Sequence, residues 1–389
     1  MRIPTSPVVL IGNYLADRQF SMQLYSRMLE QNLKAADVNV THITPSVSLG
    51  RLNPKNKWLG YIDKLLLFPL QLKNRLNSID SINKKVCILH VCDHSNSPLL
   101  KVAKGRKSLL TCHDLIAIRA ALGEFQGEQI KWSGKILQNH IRKAIPQATR
   151  IACVSSTTEQ DLHRIHPSTR NMTKVVHNGF NSNYKRQSRE KAEEKVKHLD
   201  LPITAKLILH VGNNAWYKNR LGVLKIFNAF LRLHDNRNVC LILAGPELDK
   251  TQIDFARTHR IEKNIQCTGS INSEQLEALY SIADVFLFPS RHEGFGWPPL
   301  EAQSTECPVV ASHNGSLAET LGDSGLTANW NDTVAHSKNI QRVLSDSKLR
   351  NSLVSKGLLN ANRFSSSAMT KAFCQIYCEM EELNTTKTR

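Results

Sequence analysis

The stretch Asp284-Val-Phe-Leu-Phe-Pro-Ser290, running into Arg291-His-Glu-Gly-Phe-Gly-Trp-Pro-Pro-Leu-Glu-Ala302, decides the reading of this chain. Its first part is an apolar run of strand length and is predicted as a buried strand. Gly294 and Gly296 then permit a tight turn and a close approach of backbone to a ligand. Pro298 and Pro299 suit the first turn of a helix, where the backbone N–H groups have no partner to lose. Strand, glycine loop and helix start together make an anion site, because free N–H groups and the positive end of the helix dipole face outward. Glu293 stands before the loop and Glu301 one turn into the helix. A carboxylate accepts two hydrogen bonds and so suits a sugar diol. The combination points to a nucleotide sugar; the alternative is an ordinary strand–turn–helix with two surface glutamates.

Working outward, short apolar strands alternate with helical stretches on both sides of this block. Predicted strands are 8–12, 38–43, 87–91, 108–111 and 150–154 in the first half, then 206–212, 239–245, 265–269, 284–290 and 309–311. A helix is predicted over 21–34 and another over the tail, 364–383. Such alternation gives α/β domains with parallel sheets and helices on both faces. With 389 residues, two domains are expected. The charged run 186–204 reads as a solvated helix and domain connector. The predicted layout is an N-terminal Rossmann-like domain over 1–185, the linker 186–204, a second Rossmann-like domain over 205–365, and a C-terminal helix over 366–389. Ligands of such sheets sit at the carboxyl ends of strands, which directs attention to Asn13, Asp93–His94, His113–Asp114 and Ser155–Ser156.

Composition narrows the classes. The hydrophobic fraction of 41% is ordinary for a globular chain, and no apolar run is long enough to span a membrane. The opening Met1-Arg-Ile-Pro-Thr-Ser-Pro7 lacks the pattern of a secretion signal. Nine scattered cysteines with no Cys-x-x-Cys pair read as free thiols of a reducing cytoplasm, and Cys374 with Cys378 lacks further zinc ligands. The net charge of +18 is uneven: residues 1–185 carry 26 Lys+Arg against 11 Asp+Glu, a net +15. That half is expected to meet an anionic partner, whether a membrane surface, a phosphorylated lipid carrier, an acidic glycan or nucleic acid; the alternative is a merely soluble basic surface. No recognised nucleic-acid motif accompanies the charge, so nucleic acid is not expected. Trp58 to Arg75 mixes aromatics, leucines and cations, and reads either as an interfacial helix or as a core helix interrupted at Pro69. No Asp-x-Asp pair, dinucleotide fingerprint or P-loop occurs, which removes the support for metal-dependent diphosphate, dehydrogenase and NTPase readings.

The 291–302 segment resembles the Glu-x7-Glu motif of the retaining glycosyltransferases of family 4, which share the GT-B architecture of two Rossmann-like domains facing each other across a cleft. Weaker likenesses run through 10–22, 93–117, 151–162, 176–180, 210–220 and 268–326. The resemblance implies that Glu293 lies by the donor hexose, that the amides of Gly294, Phe295 and Gly296 bind the diphosphate, and that Glu301 holds the ribose. It implies a catalytic role for Glu293, for Lys218, which would clamp the leaving diphosphate, and for His113, which would approach the transferred sugar. Gly12, Asn13, Asn213 and Ile271 are the remaining donor-side positions. Arg18, Asp93, His94 and Asp114 are assigned to the acceptor. One departure stands out. The family places an Arg directly after the glycine of the 211–220 loop, where this chain has Asn213 and Asn214; Arg220 is the nearest substitute. The resemblance further implies a nucleotide-sugar co-substrate with no metal or other cofactor, a glycan or lipid-linked acceptor, and a place in the cytoplasm, peripheral on the inner face of the membrane. The alternatives are a relative that binds nucleotide or glycan without turnover, and a nucleic-acid binder.

Overall fold

The structure, a computed structural model, describes residues 1–383 apart from 18, 50–56, 104, 181–183 and 235–237. Arg18 therefore lies outside the described residues. The chain forms two compact units, one of Met1–Asn181 with Ser366–Arg389 and one of Ser182–Ser365.

The first unit is built on six parallel strands: β1 (Val8–Ile11), β2 (Val40–Ile43), β3 (Ile88–Val91), β4 (Ser108–Cys112), β5 (Arg150–Cys153) and β6 (Thr173–Val175). They lie in the order β2-β1-β3-β4-β5-β6. β1 and β3 are buried along their whole length, as expected of parallel strands covered on both faces. One helical layer packs Phe68, Leu72, Leu76, Leu99, Ile141 and Leu162 onto the sheet. The helix Ser366–Glu382 also belongs to this unit. It buries Tyr377, whose hydroxyl lies 2.6 Å from His90 Nδ1, while His90 Nε2 lies 2.8 Å from Thr111 Oγ1. Burial pushes His90 down to about 3, so the ring is neutral in this network.

The segment around Pro69 is neither ended nor broken by it. Helix Lys57–Ile62 passes through a π-turn, Asp63–Leu67, into helix Phe68–Asn83, with Pro69 in the first turn of the last piece. The wider turn absorbs the proline's missing donor. Asp63, 1% exposed, is held there by the Tyr14 hydroxyl at 2.8 Å and the Leu49 amide at 2.9 Å.

The second unit has β7 (Lys206–Val211), β8 (Val239–Ala244), β9 (Ile265–Cys267), β10 (Val285–Phe288), β11 (Val309–Ser312) and β12 (Leu326–Ala328), in the order β12-β11-β10-β7-β8-β9. Each sheet reverses direction once, between β1 and β3 in the first and between β7 and β10 in the second. The run 186–204 is not a solvated connector. Arg189–Val196 is a helix that buries Ala192 and Val196, one turn apart, in the core of the second unit with Ala278 and Leu279. Its charges occupy the outer face only. All nine cysteines are free thiols, and all but Cys267 are buried. Among the described residues no helix is long and apolar enough to cross a membrane.

Candidate functional site

The second unit brings its chemical residues to the reversal between β7 and β10, the place where open α/β sheets take ligands. β7 ends at Val211 and gives the loop from Gly212 to Asn219; β10 ends at Phe288 and gives the loop to Gly296. The two loops are tied together. The Asn219 amide group donates to the Pro289 carbonyl at 2.9 Å and the Trp330 carbonyl at 3.2 Å, and the Arg291 N–H donates to the Tyr217 carbonyl at 2.8 Å. Asn219 adopts the left-handed conformation that this turn requires, at φ 56°.

Lys218 is thereby placed against Glu293. Its Nζ donates to both carboxylate oxygens, at 2.8 and 3.1 Å, with 17% and 9% of the two side chains exposed. The same ammonium lies 5.1 Å from the centre of the Phe288 ring. Glu293 is fixed from behind by its backbone, since the Ser316 N–H donates to the Glu293 carbonyl at 3.1 Å. Gly315, at φ 65°, makes this approach possible: a Cβ there would lie 2.7 Å from Glu293 O and 2.8 Å from Glu293 N.

Gly296, at φ 96°, begins the helix Trp297–Ser304, whose first turn carries both prolines. A Cβ on Gly296 would lie 2.7 Å from Leu317. Phe295 is buried and meets Phe364 edge-on at 5.4 Å. Glu301 follows in the same helix, partly buried, and accepts from the Tyr280 hydroxyl at 3.0 Å. Burial pushes its carboxyl up to about 7, against the opposing pull of Tyr280 and Lys218. One carboxylate that is already paired with a cation thus stands near one that burial holds close to its titration point. Ile271, after β9, packs partly buried against the same core as Val211.

Arg220 and Asn214 face elsewhere. Arg220 is 2% exposed; its Nη1 donates to Asn214 Oδ1 at 2.8 Å and to the Pro246 carbonyl at 2.6 Å. It braces the loop after β8. Asn213 is exposed and accepts the Ala215 N–H at 3.0 Å, an Asx-type turn. Neither asparagine supplies a cation.

In the first unit the loops after β1, β3 and β4 gather Asn13, Asp93, His94 and His113, all buried. The Asn13 amide donates to Asp93 Oδ2 at 2.5 Å, and its oxygen accepts from Asn96 at 3.2 Å. His113 Nε2 lies 2.9 Å from the Cys92 carbonyl, and its ring meets Tyr25 edge-on at 4.5 Å. Because the carbonyl can only accept, Nε2 carries the proton. Burial lowers His113, with Asp93 opposing; Asp93 itself would be raised by burial, but His94 and His113 outweigh that and hold it below the usual carboxylate range. Asp114, just before the helix Ile116–Ala121, accepts the Ile116 N–H at 2.9 Å. Ser155 caps the helix Ser156–Ile165 by accepting the Thr158 N–H. Gly12 is small for packing reasons, since a Cβ would lie 2.5 Å from His42 Nε2.

Sequence reading missed Tyr280, Asn219, Gly315 and Phe288. Each acts on a residue far away in the chain, and only the Gly315 position, after β11, carries a local signal. Among the described residues no three His, Cys, Asp or Glu side chains group as metal ligands.

Comparison with known proteins agrees with this geometry. Residues 8–184 match the family "Glycosyltransferase Family 4" and residues 191–358 match "Glycosyl transferases group 1". The chain is 35% identical over 159 residues to an O-antigen chain mannosyltransferase B of Escherichia coli, covering 40% of this chain and 42% of that one. It is 28% identical over 194 residues to a D-inositol 3-phosphate glycosyltransferase of Corynebacterium efficiens, covering 48% and 46%. The matched stretches thus span about half the length of these relatives. Among solved structures, a sucrose-phosphate synthase of Thermosynechococcus elongatus superposes with a TM-score of 0.72 at 19% identity, over 97% of this chain and 100% of that one. Anabaena HepE, solved in complex with UDP and glucose, gives 0.69 at 15%, over 96% and 100%. Two Rossmann-like parallel sheets, a glycine loop flanked by Glu293 and Glu301, and two family matches that together run through nearly the whole chain lead to one assignment: the chain is a glycosyltransferase of family 4, with the GT-B fold.

Proposed function

We propose that this enzyme moves a hexose from a nucleotide diphosphate sugar to a hydroxyl acceptor with retention of anomeric configuration, in the synthesis of cell-surface polysaccharide or glycoconjugate. The observation that carries the donor reading is the arrangement of Lys218, the Gly294–Gly296 loop and Glu301 at the β7/β10 reversal. Lys218 and the amides at the start of helix Trp297–Ser304 face the diphosphate; Glu301 accepts from the ribose hydroxyls; Glu293 lies by the hexose. The bond from the anomeric carbon to the β-phosphate oxygen breaks, and its electron pair leaves with the nucleoside diphosphate. Lys218 and the helix dipole stabilise that charge, so the reaction needs no metal. The acceptor oxygen bonds to the same face of the anomeric carbon and passes its proton to the departing phosphate oxygen. His113, Asp93 and His94, with Gly12, Asn13 and Asp114 around them, serve the acceptor and the transferred sugar. The acceptor is an anionic or lipid-linked glycan on the cytoplasmic side of the membrane, matched by the net +15 of residues 1–185.

A second reading, binding without turnover, has one observation in its favour: the usual arginine position brings no charge, since Asn213 stands there and Arg220 is buried with its Nη1 on Asn214 and the Pro246 carbonyl. Thermal shift against UDP-, GDP- and ADP-sugars identifies the donor, because a ligand of the native state raises its melting point. Release of nucleoside diphosphate from that donor then separates the readings: turnover supports transfer, and a raised melting point with no release supports binding alone.

A further inference from the structure

Two helices on one face of the first unit expose large apolar side chains where a soluble surface would place polar ones. In the helix Trp132–Ala144, Ile141 and Ala144 are buried while Trp132 is 77% and Ile136 50% exposed. At 100° per residue Trp132 and Ile136 lie together, opposite Ile141. Lys135 and Lys143 are exposed on the same side. In the helix Phe68–Asn83, Leu72 and Leu76 are buried while Leu70 is 68% exposed, and Leu66, in the π-turn before it, is 62% exposed. Lys73 is exposed one turn from Leu70. Both helices pack on the segment His94–Ala103, and Leu72, Leu76, Leu99 and Ile141 share one core cluster. The four exposed residues therefore stand on the outer side of one layer.

Carboxylates are sparse around them, with Glu128, Asp80 and the buried Asp63 flanking them in sequence. Residues 129–158 contain no Asp or Glu, and neither do residues 94–113. Apolar residues projecting from a carboxylate-poor, lysine-bearing helical face fit the boundary of an acidic lipid bilayer, where Trp and Leu enter the headgroup region and lysines meet the lipid charge. A protein partner of ordinary charge would leave these lysines without counterparts.

We propose that this layer is a membrane-docking surface that seats the first unit on acidic lipid, with Trp132, Ile136, Leu66 and Leu70 as the inserted residues. The proposal deepens the lipid-side acceptor reading above by naming the surface, and it stands or falls separately from the donor site.

The test is co-sedimentation of the full chain with vesicles of phosphatidylcholine alone or mixed with phosphatidylglycerol, at low and high salt. Binding is expected to the acidic vesicles only and to weaken with salt. Lys135→Gln with Lys143→Gln is expected to lower the partition coefficient about five-fold per lysine. Trp132→Ala with Ile136→Ala is expected to lower it ten-fold or more. Leu359→Ala, an exposed site in the second unit, is expected to change nothing. Since all these positions are exposed, melting temperatures should stay at the wild-type value, and nucleotide-sugar binding, measured in parallel, should be untouched. Three results overturn the proposal: equal binding to both vesicle types, unchanged binding by both double variants, or Trp132-dependent binding to RNA or to a soluble glycan without vesicle binding. Failure of donor binding with vesicle binding intact would instead strike the donor-site reading.

Discussion

Replacing Glu301 by Gln should make the protein more stable and less able to hold its donor, with both effects following pH. Burial holds the Glu301 carboxyl at about 7 instead of the ordinary 4.5. The native state thus keeps a proton that the unfolded chain has lost, so stability declines as pH rises from about 4.5 towards 7 and stays low above it. The gap corresponds to about 3 kcal/mol, reduced to about 2 by the partial exposure of the side chain. Gln at this position has no charge to bury, and its amide oxygen can still accept from Tyr280. For a unit of this size each kcal/mol moves the melting temperature by about 2–4 °C. Thermal melting of both proteins should therefore coincide near pH 5 and separate by several degrees near pH 8, the variant melting higher. Donor binding should move the opposite way. The ribose diol needs two acceptor oxygens, and losing one charge-assisted bond costs about 1.5–3 kcal/mol, or ten- to a hundred-fold in affinity. Wild-type donor affinity should also improve as pH rises through about 7, whereas that of the variant should not. A melting difference that does not change with pH, or a variant that melts lower at high pH, would show that Glu301 is not held neutral by burial.

Lys218→Ala should lower kcat about a hundred-fold, the usual loss for one preorganised donor to a leaving group. Arg220→Ala should lower the melting temperature with far less effect on kcat, because its bonds go to Asn214 and the Pro246 carbonyl; steady-state kinetics beside melting curves separates the two. Gly315→Ala should displace Glu293 and cost about 1–3 kcal/mol of stability, given its positive φ and the 2.7 Å approach to the Glu293 carbonyl; intact kcat in that variant would show that the backbone of Glu293 is free to shift.

Ten of the twelve strands are legible in sequence, most as apolar runs bounded by turn residues; Ile265–Cys267, itself a three-residue edge strand, is marked by the glycine that follows at 269. The two that are not, Thr173–Val175 and Leu326–Ala328, are three-residue edge strands. An edge strand is paired on one side only and needs no continuous apolar run. That the helix in 186–204 packs on the second unit was not legible, because only Ala192 and Val196 face inward, too few to outweigh its charges. Proline chemistry misled at Pro69, where a π-turn took up the strain. Glu293, Glu301 and Lys218 were visible as local patterns tied to strand ends. Their supports were not: the Tyr280 hydroxyl, the Asn219 amide group and the Gly315 backbone reach them only through tertiary packing. Spacing also left Arg220 open as a phosphate clamp; in the structure it is buried, with its Nη1 on Asn214 and the Pro246 carbonyl.

The return of the last helix to the first unit bears on how the chain reaches its native state. The polypeptide leaves that unit near residue 181 and comes back at 366, so the second unit is a continuous stretch inserted into a discontinuous one. As the chain emerges during synthesis, residues 182–365 can complete their own fold while the first sheet still lacks one covering helix. Until residues 366–382 arrive, His90 and Thr111 have no Tyr377 above them and Tyr25 lies less covered. A fragment of residues 1–185 is therefore an incomplete body with an open apolar face, and losing the tail should harm the unit farthest from it in sequence. The middle of the chain can thus complete its fold before its beginning does.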